Sequence, residues 1–511
     1  MFNKIFTYLV MAMMMCVPLL LSAAEFQPVG LRALGMGGSN VASTNDTDAA
    51  YWNPAAFGYL GTYGYQHDID VNAKLRGADA GVGIGVSIHQ QLPDLIDSID
   101  QLNFNAISTA AANNTAFAAA QIADSLVLLK QLDGLNTPGT GVQFQVNGGT
   151  GFRIGNVGFG YRVYGEIGAS ALVDLNNLAV STPAGAGAVV NPLIAAYAPA
   201  ATPTVGYNAQ YFSPAQLTSL STSLQGINAA GITPMTAVQA DAVVQQADTA
   251  LAQAPQAAGQ QNAIASTLVT LAQSQSGNTI DQNLSVLRFR GAVITEIPVS
   301  YGYAINEHLS VGGSLKYLSA RVYASDVGIF NQNSSNLNTS IQNAYQDKSA
   351  FGLDLGAIYR IPQYQFGLVA KNLNTPKFSV PVVGATTAQL YTVKMNPQVR
   401  AGVAWLPKDN IVVEAGLDLT DNESTALPGY KTRYVNFGGE WKPWQVLNLR
   451  AGVYKNLSES DIGMMYTLGL GVNLWAVSWD MAAAMSSKKA NFKGSSAPRS
   501  VKFATSFSTR F

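Results

Sequence analysis

Cysteine and histidine are scarce in the 511-residue sequence, which contains one cysteine and three histidines. Cys16 lies in an apolar run near the N-terminus that we interpret as part of a secretory signal. The chain after this signal would have no cysteine, which excludes disulfides, thiolate metal sites and cysteine nucleophiles. His67, His89 and His308 are far apart in the sequence, so we predict no metal site and no cofactor.

Charged residues are also few. They make up 12% of the chain, against about 25% in ordinary globular domains. The net charge is −1, so the chain lacks the basic field that nucleic-acid binding requires, and we expect no nucleic-acid partner. Hydrophobic residues nevertheless reach 48%, with 48 glycines and 22 tyrosines. In an exported protein, low charge with many glycines and tyrosines favours a transmembrane β-barrel.

Long apolar runs and catalytic motifs are missing after residue 24. No unbroken apolar stretch there reaches roughly 18 residues, which excludes a helical membrane protein. Neither a G-x-S-x-G nucleophile elbow nor an H-E-x-x-H zinc motif occurs. We therefore predict that the protein is not an enzyme.

The N-terminus is typical of an export signal over residues 1–24. Lys4 is followed by the apolar run Ile5–Leu21 and by the small residues Ser22–Ala24. An uncleaved membrane anchor is the alternative, but the run is short for a bilayer span.

The last eleven residues, Val501–Phe511, alternate strictly between apolar and polar side chains. Successive side chains of a strand point to opposite faces, so one face is apolar and the other carries Lys502 and Arg510. This pattern predicts the closing strand of an outer-membrane barrel, with the apolar face toward lipid. Such a strand, ending at Phe511, would also be the segment that contacts the barrel-assembly machinery.

Similar alternation recurs along the chain and predicts an all-β fold, a transmembrane antiparallel barrel of about fourteen strands. The predicted strands are Gly81–Gln90, Val142–Ile154, Val157–Leu175, Leu284–Ala304, Leu309–Ser325, Phe351–Ile361, Tyr364–Leu373, Gln398–Leu406, Ile411–Thr420, Thr432–Trp441, Val446–Tyr454, Ile462–Leu474, Val477–Met485 and Val501–Phe511. A weaker candidate, Tyr63–Leu75, is interrupted by polar residues. Short and long connections alternate, as in barrels with short periplasmic turns and long outer loops. We therefore expect a periplasmic C-terminus.

Alternation also sorts the charged residues of these strands onto the inner face. A charge facing lipid at mid-bilayer would cost about 2–4 kcal/mol for Arg or Lys. The polar residues expected to line the lumen are Arg400, Glu414, Asp418, Arg450, Asp480, Lys502 and Arg510. We expect them to form ion-pair networks with one another and with the N-terminal segment rather than to contact a substrate directly. Trp405, Trp441, Trp444, Trp475 and Trp479 lie at or near tight turns, where an interfacial aromatic girdle belongs.

The stretch after the signal contains the sequence RALGMGGSNVASTNDTDAAYWNPAA over residues 32–56. Gly35, Gly37 and Gly38 permit positive φ and close backbone approach, and Asn53 and Pro54 mark a turn. This stretch, together with the strands from about Pro397 onward, resembles the FadL-like outer-membrane family. That family includes channels for long-chain fatty acids and hydrocarbons and a TraF-like branch of conjugal transfer proteins.

The resemblance implies that the N-terminal segment forms a plug, or hatch, inside the barrel. We expect a hatch over residues 25–78, with Gly35, Gly37, Gly38, Asn53 and Pro54 as its flexible points, and a barrel over 79–511. The function implied is an outer-membrane channel that passes small hydrophobic molecules through a plugged barrel of a Gram-negative bacterium. The alternative is a TraF-like envelope accessory protein in conjugal transfer or secretion. The expected partners are outer-membrane lipid, lipopolysaccharide, a hydrophobic small molecule and an envelope protein.

Two long inserts, 91–141 and 176–283, interrupt the barrel and are expected on the extracellular side. Both show helical spacing of apolar residues, at Ile122, Leu126 and Leu129, at Leu217, Leu220, Leu224 and Ile227, and at Ile264, Leu268 and Leu271. Three alternatives stay open for them. The helices shape an apolar groove over the barrel mouth, or form an interaction surface for another protein, or are partly disordered.

Overall fold

The architecture is taken from a computed structural model of the chain. The structure describes residues 23–24, 29–44, 46–59, 76–93, 127, 130–174, 180–181, 189–190, 202–225, 236–254, 257–273, 284–328, 345–385, 387–474, 477–492 and 495–510.

Fourteen antiparallel strands form a closed barrel, which confirms the fold predicted from the alternation. Each strand pairs with its neighbours in the chain, and β1 pairs with β14 to close the sheet. The strands are β1 (Arg76–His89), β2 (Gly141–Ile154), β3 (Val157–Leu172), β4 (Val286–Ala304), β5 (Leu309–Gly328), β6 (Tyr345–Ile361), β7 (Tyr364–Lys371), β8 (Gln398–Lys408), β9 (Ile411–Asp418), β10 (Tyr434–Trp444), β11 (Leu447–Asn456), β12 (Met464–Leu474), β13 (Val477–Ser486) and β14 (Ser500–Arg510).

The outer surface of this barrel is apolar. In β1, Val82, Ile84 and Val86 are exposed, whereas Ser87 on the inner face is buried. In β14, Val501, Phe503 and Phe507 are exposed while Lys502 and Ala504 are buried. Because hydrogen bonding closes the sheet, no strand edge remains, and an apolar outer face suits such a barrel to a lipid bilayer.

The two rims of the barrel differ. One rim, here called the short-turn rim, joins strand pairs through connections of a few residues, such as 362–363 between β6 and β7. The opposite rim, the long-loop rim, carries the connections 90–140, 173–285 and 372–397 among others. Trp405, Trp441, Trp444 and Trp479 are exposed toward the short-turn rim, as expected for an aromatic girdle. Trp475 lies outside the described residues.

Near the long-loop rim, charges appear on the outer face. Arg321 of β5 and Asp347 of β6 form a bidentate ion pair with N–O distances of 2.9 and 3.0 Å. Since an arginine facing hydrocarbon is costly, this pair marks where the lipid-facing band ends. Strands β5 and β6 continue beyond it, which is why β6 begins at Tyr345, six residues before the predicted Phe351. The candidate strand Tyr63–Leu75 lies outside the described residues.

Small hairpins lie at the long-loop rim. The hairpin Lys377–Pro381 with Leu390–Lys394 lies between β7 and β8, and Lys489–Phe492 pairs with Ser495–Pro498 between β13 and β14. Two-residue strands form the remaining pairs, at Val180–Ser181 with Val189–Val190, and at Asn422–Glu423 with both Lys431–Thr432 and Ala23–Ala24.

Helical residues lie in three places among the described residues: the N-terminal segment, the connection 90–140, with helical residues at 92–93, 127 and 130–134, and the insert between β3 and β4. The N-terminal helices are α1 (Leu31–Gly35) and α2 (Ala49–Trp52), followed by a 3₁₀ helix at Pro54–Tyr59. The insert between β3 and β4 contains α3 (Pro214–Gln225), α4 (Ala237–Ala252) and α5 (Gln261–Gln273). In the part of the chain that the structure describes, no helix combines the length and apolarity needed to cross a bilayer.

The three insert helices pack around a core of their own. Phe212, Leu220, Val244, Leu251 and Ile264 belong to it, and Val127 from the other insert is buried in the same cluster. Leu217, Leu224 and Leu268 pack against this core from its edge, and Leu271 lies in α5. Ile122, Leu126, Leu129 and Ile227 lie outside the described residues.

Candidate functional site

The N-terminal segment, residues 29–59, lies inside the barrel. Trp52, Phe57 and Tyr59 are among the largest fully buried side chains of the described chain. The 3₁₀ helix contacts β4, β5 and β6, while α1 contacts β11, β12, β13 and β14. The segment therefore touches opposite walls of the lumen.

Glu414 of β9 binds the segment through three consecutive backbone amides. Its carboxylate accepts from the N–H groups of Val41 at 2.7 Å, Ala42 at 3.0 Å and Ser43 at 3.0 Å. The side chain is only 1% exposed. Hydrogen bonds to an ionised acceptor are about twice as strong as neutral ones, so this group is a strong anchor for the segment.

An ionic chain connects α1 to the barrel wall. Glu440 of β10 pairs with Arg32 at 3.4 Å and with Arg450 of β11 at 2.6 Å. Arg450 also pairs with Asp480 of β13, and Arg32 donates to Asn40 and to Ser43 Oγ. Because each buried charge has an opposite charge beside it, the network offsets the desolvation that burial costs.

A second ionic contact lies across the lumen. Arg162 of β3 pairs with Asp48 and donates to the carbonyl of Thr47 at 2.9 Å. The Thr47 hydroxyl in turn donates to Asp79 of β1. The segment is therefore bound on both sides by charged groups of the wall.

The segment ends against the short-turn rim. Tyr59 donates to the carbonyls of His308 at 2.7 Å and Ile358 at 3.1 Å, and Ser310 donates to the carbonyl of Ala55 at 2.6 Å. Arg360 lies 3.8 Å from the centroid of the Tyr59 ring. These contacts place the 3₁₀ helix across the lumen at this rim.

Toward the long-loop rim, a continuous apolar cluster connects the segment to the hairpin over the mouth. Tyr51 and Trp52 belong to it, as do Phe378 and Met395 of the hairpin region. The inner faces of β4 and β5 complete the cluster with Ile294, Leu318, Ala320, Val322 and Ala324. An apolar strip inside an otherwise polar lumen is the feature that a nonpolar solute would select.

Beside this apolar cluster lies a buried polar cluster that we did not predict from the alternation pattern. Lys316 Nζ of β5 lies 2.9 Å from Asp354, 3.2 Å from Glu296 and 2.9 Å from Asn372. Tyr164 donates to Glu296 at 2.9 Å. The inward register of Lys316, two residues from Ser314 and Leu318, is the signal that could have revealed it.

The five residues predicted as hatch points are all in the N-terminal segment. Gly37 has φ +67°, and a Cβ there would lie 2.8 Å from the carbonyl oxygen of Val453. A Cβ on Gly35 would meet the Cα of Gly469 at 3.2 Å, so both positions need glycine for close backbone approach. Gly38 has φ +86°, and Pro54 begins the 3₁₀ helix. Asn53 is buried and donates to the carbonyls of Val41 and Ala357 at 3.1 and 3.2 Å.

Six of the seven predicted lumen residues are buried on the inner face, and four of them form two ion pairs. Arg400 pairs with Asp418, Arg450 pairs with Asp480, and Glu414 binds the N-terminal segment as described. Lys502 lies 5.8 Å from the centroid of the Tyr454 ring. Arg510 lies in β14, but its side chain is outside the described part. Among the residues that the structure describes, no cluster of histidine, aspartate and glutamate is arranged to hold a metal ion.

A polar latch, here His89, Asp461 and Tyr430, joins the end of β1 to two connections at the long-loop rim. Asp461 accepts from Tyr430 at 2.8 Å and from the Gln90 amide at 3.1 Å, and lies 3.1 Å from His89 Nδ1. Burial raises the pKa of Asp461, but the hydrogen bonds with His89, Tyr430 and the Gln90 amide outweigh it and hold the pKa below the ordinary 3.8. The latch thus favours an ionised Asp461.

Comparison with known proteins gives one family match. The model of a family described as "F plasmid transfer operon, TraF, protein" matches residues 50–418. No curated protein matches the chain.

Several solved structures are similar. The toluene transporter TbuX of Ralstonia pickettii has a TM-score of 0.43 and 12% identity, over 95% of this chain and 99% of that one. The P. putida toluene transporter TodX has a TM-score of 0.43 and 10% identity, over 95% and 99%. A FadL homologue of Pseudomonas aeruginosa has a TM-score of 0.40 and 11% identity, over 96% and 100%.

Proposed function

The chain belongs to the TraF family of the F plasmid transfer operon, and we propose that it is an outer-membrane channel for small hydrophobic molecules. The N-terminal segment acts as the hatch, and the hatch domain, expected over residues 25–78, ends before Arg76, because Arg76–Ala78 already belong to β1. The observation that carries the proposal is the apolar cluster from Phe378 at the mouth to Tyr51 and Trp52 on the segment. A molecule such as a fatty acid or an alkylbenzene gains about 25 cal/mol for each Å² of apolar surface that leaves water there.

The hatch must move for a molecule to pass, because the segment fills the lumen between the two walls. Its bonds to Glu414, Arg162 and Glu440 are polar, whereas its Tyr51 and Trp52 side chains face the apolar cluster. A hydrophobic solute that binds in this cluster would displace the apolar contacts of Tyr51 and Trp52 before it breaks the polar bonds of the segment. The charged anchors then define the closed position to which the segment returns.

The orientation belongs to the same proposal. We place the short-turn rim and the end of β14 in the periplasm, with the inserts and the lipopolysaccharide on the opposite side. The alternation of short and long connections supports this orientation. The strand that ends near Phe511 would be the segment that the barrel-assembly machinery contacts.

Uptake by proteoliposomes tests the channel. The full chain is reconstituted, and uptake of a labelled long-chain fatty acid and of a labelled alkylbenzene is followed. We expect uptake of at least one probe to be several times faster than in empty liposomes. Rates equal to those of empty liposomes for both probes would contradict the proposal.

An accessory role in conjugal transfer is the second candidate, and the family match and the helical insert favour it. The sequence between Arg162 and Arg288 contains no Lys or Arg, so the insert presents mainly uncharged polar groups to a partner in the envelope. Replacing residues 204–273 by a short Gly-Ser linker separates the two functions. The accessory role predicts that conjugation frequency falls while probe uptake stays; the channel role predicts no change in conjugation frequency.

A further inference from the structure

The connection between β9 and β10, residues 419–433, crosses the mouth of the barrel at the long-loop rim and is here called the strap. It leaves the wall after Asp418 and returns to it at Tyr434. Its middle contacts β3, which lies on the opposite side of the closed barrel. Strands β4 to β8 lie between β3 and β9 in one direction, and β11 to β14, β1 and β2 lie between β10 and β3 in the other. The strap therefore spans the lumen from wall to wall.

A buried carboxylate of the far wall binds the strap. Glu166 Oε1 of β3 accepts from Ser424 Oγ and from the Thr425 hydroxyl, each at 3.0 Å. The backbone N–H groups of Thr425 and Ala426 donate to the same oxygen, the latter at 3.3 Å. Gln143 of β2 donates to the other oxygen of this carboxylate and, at 3.2 Å, to Ser424 Oγ. Because Glu166 is only 3% exposed, water competes little for these bonds, and the carboxylate is a strong anchor.

Glycines of the far wall allow the strap to approach closely. A Cβ on Gly168 of β3 would lie 2.4 Å from the carbonyl oxygen of Ala426. A Cβ on Gly141 of β2 would lie 2.7 Å from Leu427 Cδ2. Ala426 and Leu427 are buried as a result. A larger side chain at Gly168 would therefore push the strap away from the wall.

The strap covers the outer end of the apolar cluster in the lumen. Tyr391 packs against that cluster and donates its hydroxyl to the carbonyl of Thr425 in the strap. Ala292 of β4 belongs to the cluster and pairs with Glu166 in the ladder between β3 and β4. The anchor of the strap and the end of the cluster are therefore neighbours. A solute that enters from the long-loop rim meets the strap before it reaches the cluster.

The polar latch is the second attachment of the strap. Tyr430 belongs to both, and its hydroxyl donates to Asp461 at 2.8 Å. Within the strap, Asn422–Glu423 pairs with Lys431–Thr432. Because this pairing does not involve the far wall, the strap can separate from Glu166 and from the latch as one element.

We propose that the strap is an outer gate of the channel, held closed by Glu166 and by the latch. The inference rests on the proposed channel function, and it places a second barrier in the lumen in addition to the N-terminal segment. The apolar cluster then lies between two barriers, where a bound molecule is sequestered from water. Glu166 is a positioning residue, because it acts on the solute only through the strap.

Cysteine labelling in nanodiscs tests the gate without a transported solute. Ala292→Cys, in a Cys16→Ser background, reports access to the apolar cluster through its rate of reaction with a charged maleimide. We expect slow labelling in the parent protein, because Ala292 is 1% exposed. Glu166→Gln and Tyr430→Phe should each make labelling several times faster, and the double variant at least tenfold faster. Gly168→Leu, which displaces the strap and leaves both attachments in place, should also accelerate labelling at least tenfold.

Two controls separate a gate from a general loosening of the barrel. Glu459→Gln changes a carboxylate at the same rim that binds Gln90, and it should leave the labelling rate unchanged. Ala404→Cys is a second reporter, which lies on β8 in a cluster with Met36 of the N-terminal segment. This reporter should be labelled at the same rate with and without Glu166→Gln.

Unchanged labelling of Ala292→Cys in the double variant or in Gly168→Leu would overturn the proposal, as would an equal acceleration at Ala404→Cys. Heat-modifiable migration on gels identifies the variants that fold, and either of the two strap-releasing proteins is sufficient for the test. Uptake of fatty acid is measured separately. A failed channel leaves uptake at the level of empty liposomes while labelling still responds to the variants, whereas a failed gate leaves labelling unchanged.

Discussion

At the scale of single residues, the interior depends on side chains whose partners are remote in sequence. Glu414 could be assigned to the inner face from the alternation of β9, but its partners could not, because Val41 lies 373 residues away. The same holds for Arg162, which pairs with Asp48 across 114 residues. Period-two patterning reports which face a residue occupies, and carries no information on what lies opposite in the lumen.

Replacing Glu414 with Gln should loosen the N-terminal segment. The variant keeps the shape but loses the charge that three backbone amides share, and a hydrogen bond to a charged group contributes about 1.5–3 kcal/mol. We expect amide exchange over residues 41–43, followed by mass spectrometry, to become about tenfold to a hundredfold faster, and probe uptake to rise. Glu307→Gln, at an exposed glutamate beside a short turn, is the control. Unchanged exchange would show that Glu414 is not an anchor.

The latch at Asp461 should respond to acid. Because the folded-state pKa lies below the ordinary 3.8, its contribution to stability is present above that pH and is lost as pH falls through the lowered pKa. A spin label at Ser458→Cys, in the same connection, should therefore become more mobile only below about pH 4. In an Asp461→Asn background the label should be mobile at neutral pH and nearly independent of pH. A mobility that changes equally in both proteins would rule out Asp461 as the titrating group.

At the scale of elements, the strands could be predicted from the sequence where contact with lipid requires alternating side chains. The prediction was less accurate beyond the lipid-facing band. The fourteen strands were predicted in their correct order, but the starts of β1 and β6 were placed five and six residues late, at Gly81 and Phe351. Residues 345–350 extend past the lipid-facing band, where polar side chains such as Asp347 occupy the outer face and the apolar signal ends. The insert helices were predicted from spacing, but the way in which they pack required the structure.

The helical insert depends on one buried carboxylate. Asp248 of α4 is fully buried and accepts from the backbone N–H groups of Gln210, Tyr211 and Phe212 at 2.7, 3.0 and 2.6 Å, and from Tyr207 at 2.8 Å. Asp248→Ala would leave these donors without an acceptor, and one unsatisfied buried group costs about 1–3 kcal/mol.

We expect limited proteolysis to cut the Asp248→Ala insert at least tenfold faster while the barrel keeps its heat-modifiable migration on gels. Asp241→Ala, which removes one bond to Ser221 from the same helix, should change cleavage far less. Equal cleavage of wild type and Asp248→Ala would contradict this role.

At the scale of the whole molecule, composition and patterning were sufficient to predict the barrel, and the resemblance of residues 32–56 was sufficient to predict the family. The TraF-like branch named from residues 32–56 is confirmed by the family match, which covers residues 50–418. The apolar route to Tyr51 and Trp52 could not be predicted, because it joins β4, β5, the hairpin and α2 only in three dimensions.

The most direct test of the account fixes the N-terminal segment to the wall and measures flux. Ser39 Oγ lies 2.8 Å from Asn436 Oδ1, so Ser39→Cys/Asn436→Cys in a Cys16→Ser background places two thiols at this contact. Ser87→Cys/Ser500→Cys is the matched control, because these residues are hydrogen-bonded cross-strand neighbours of β1 and β14. Oxidation of the first pair should lower uptake at least tenfold, and reduction should restore it, while the control pair is insensitive. Equal uptake by the oxidised and reduced Ser39→Cys/Asn436→Cys protein would contradict a channel gated by this segment.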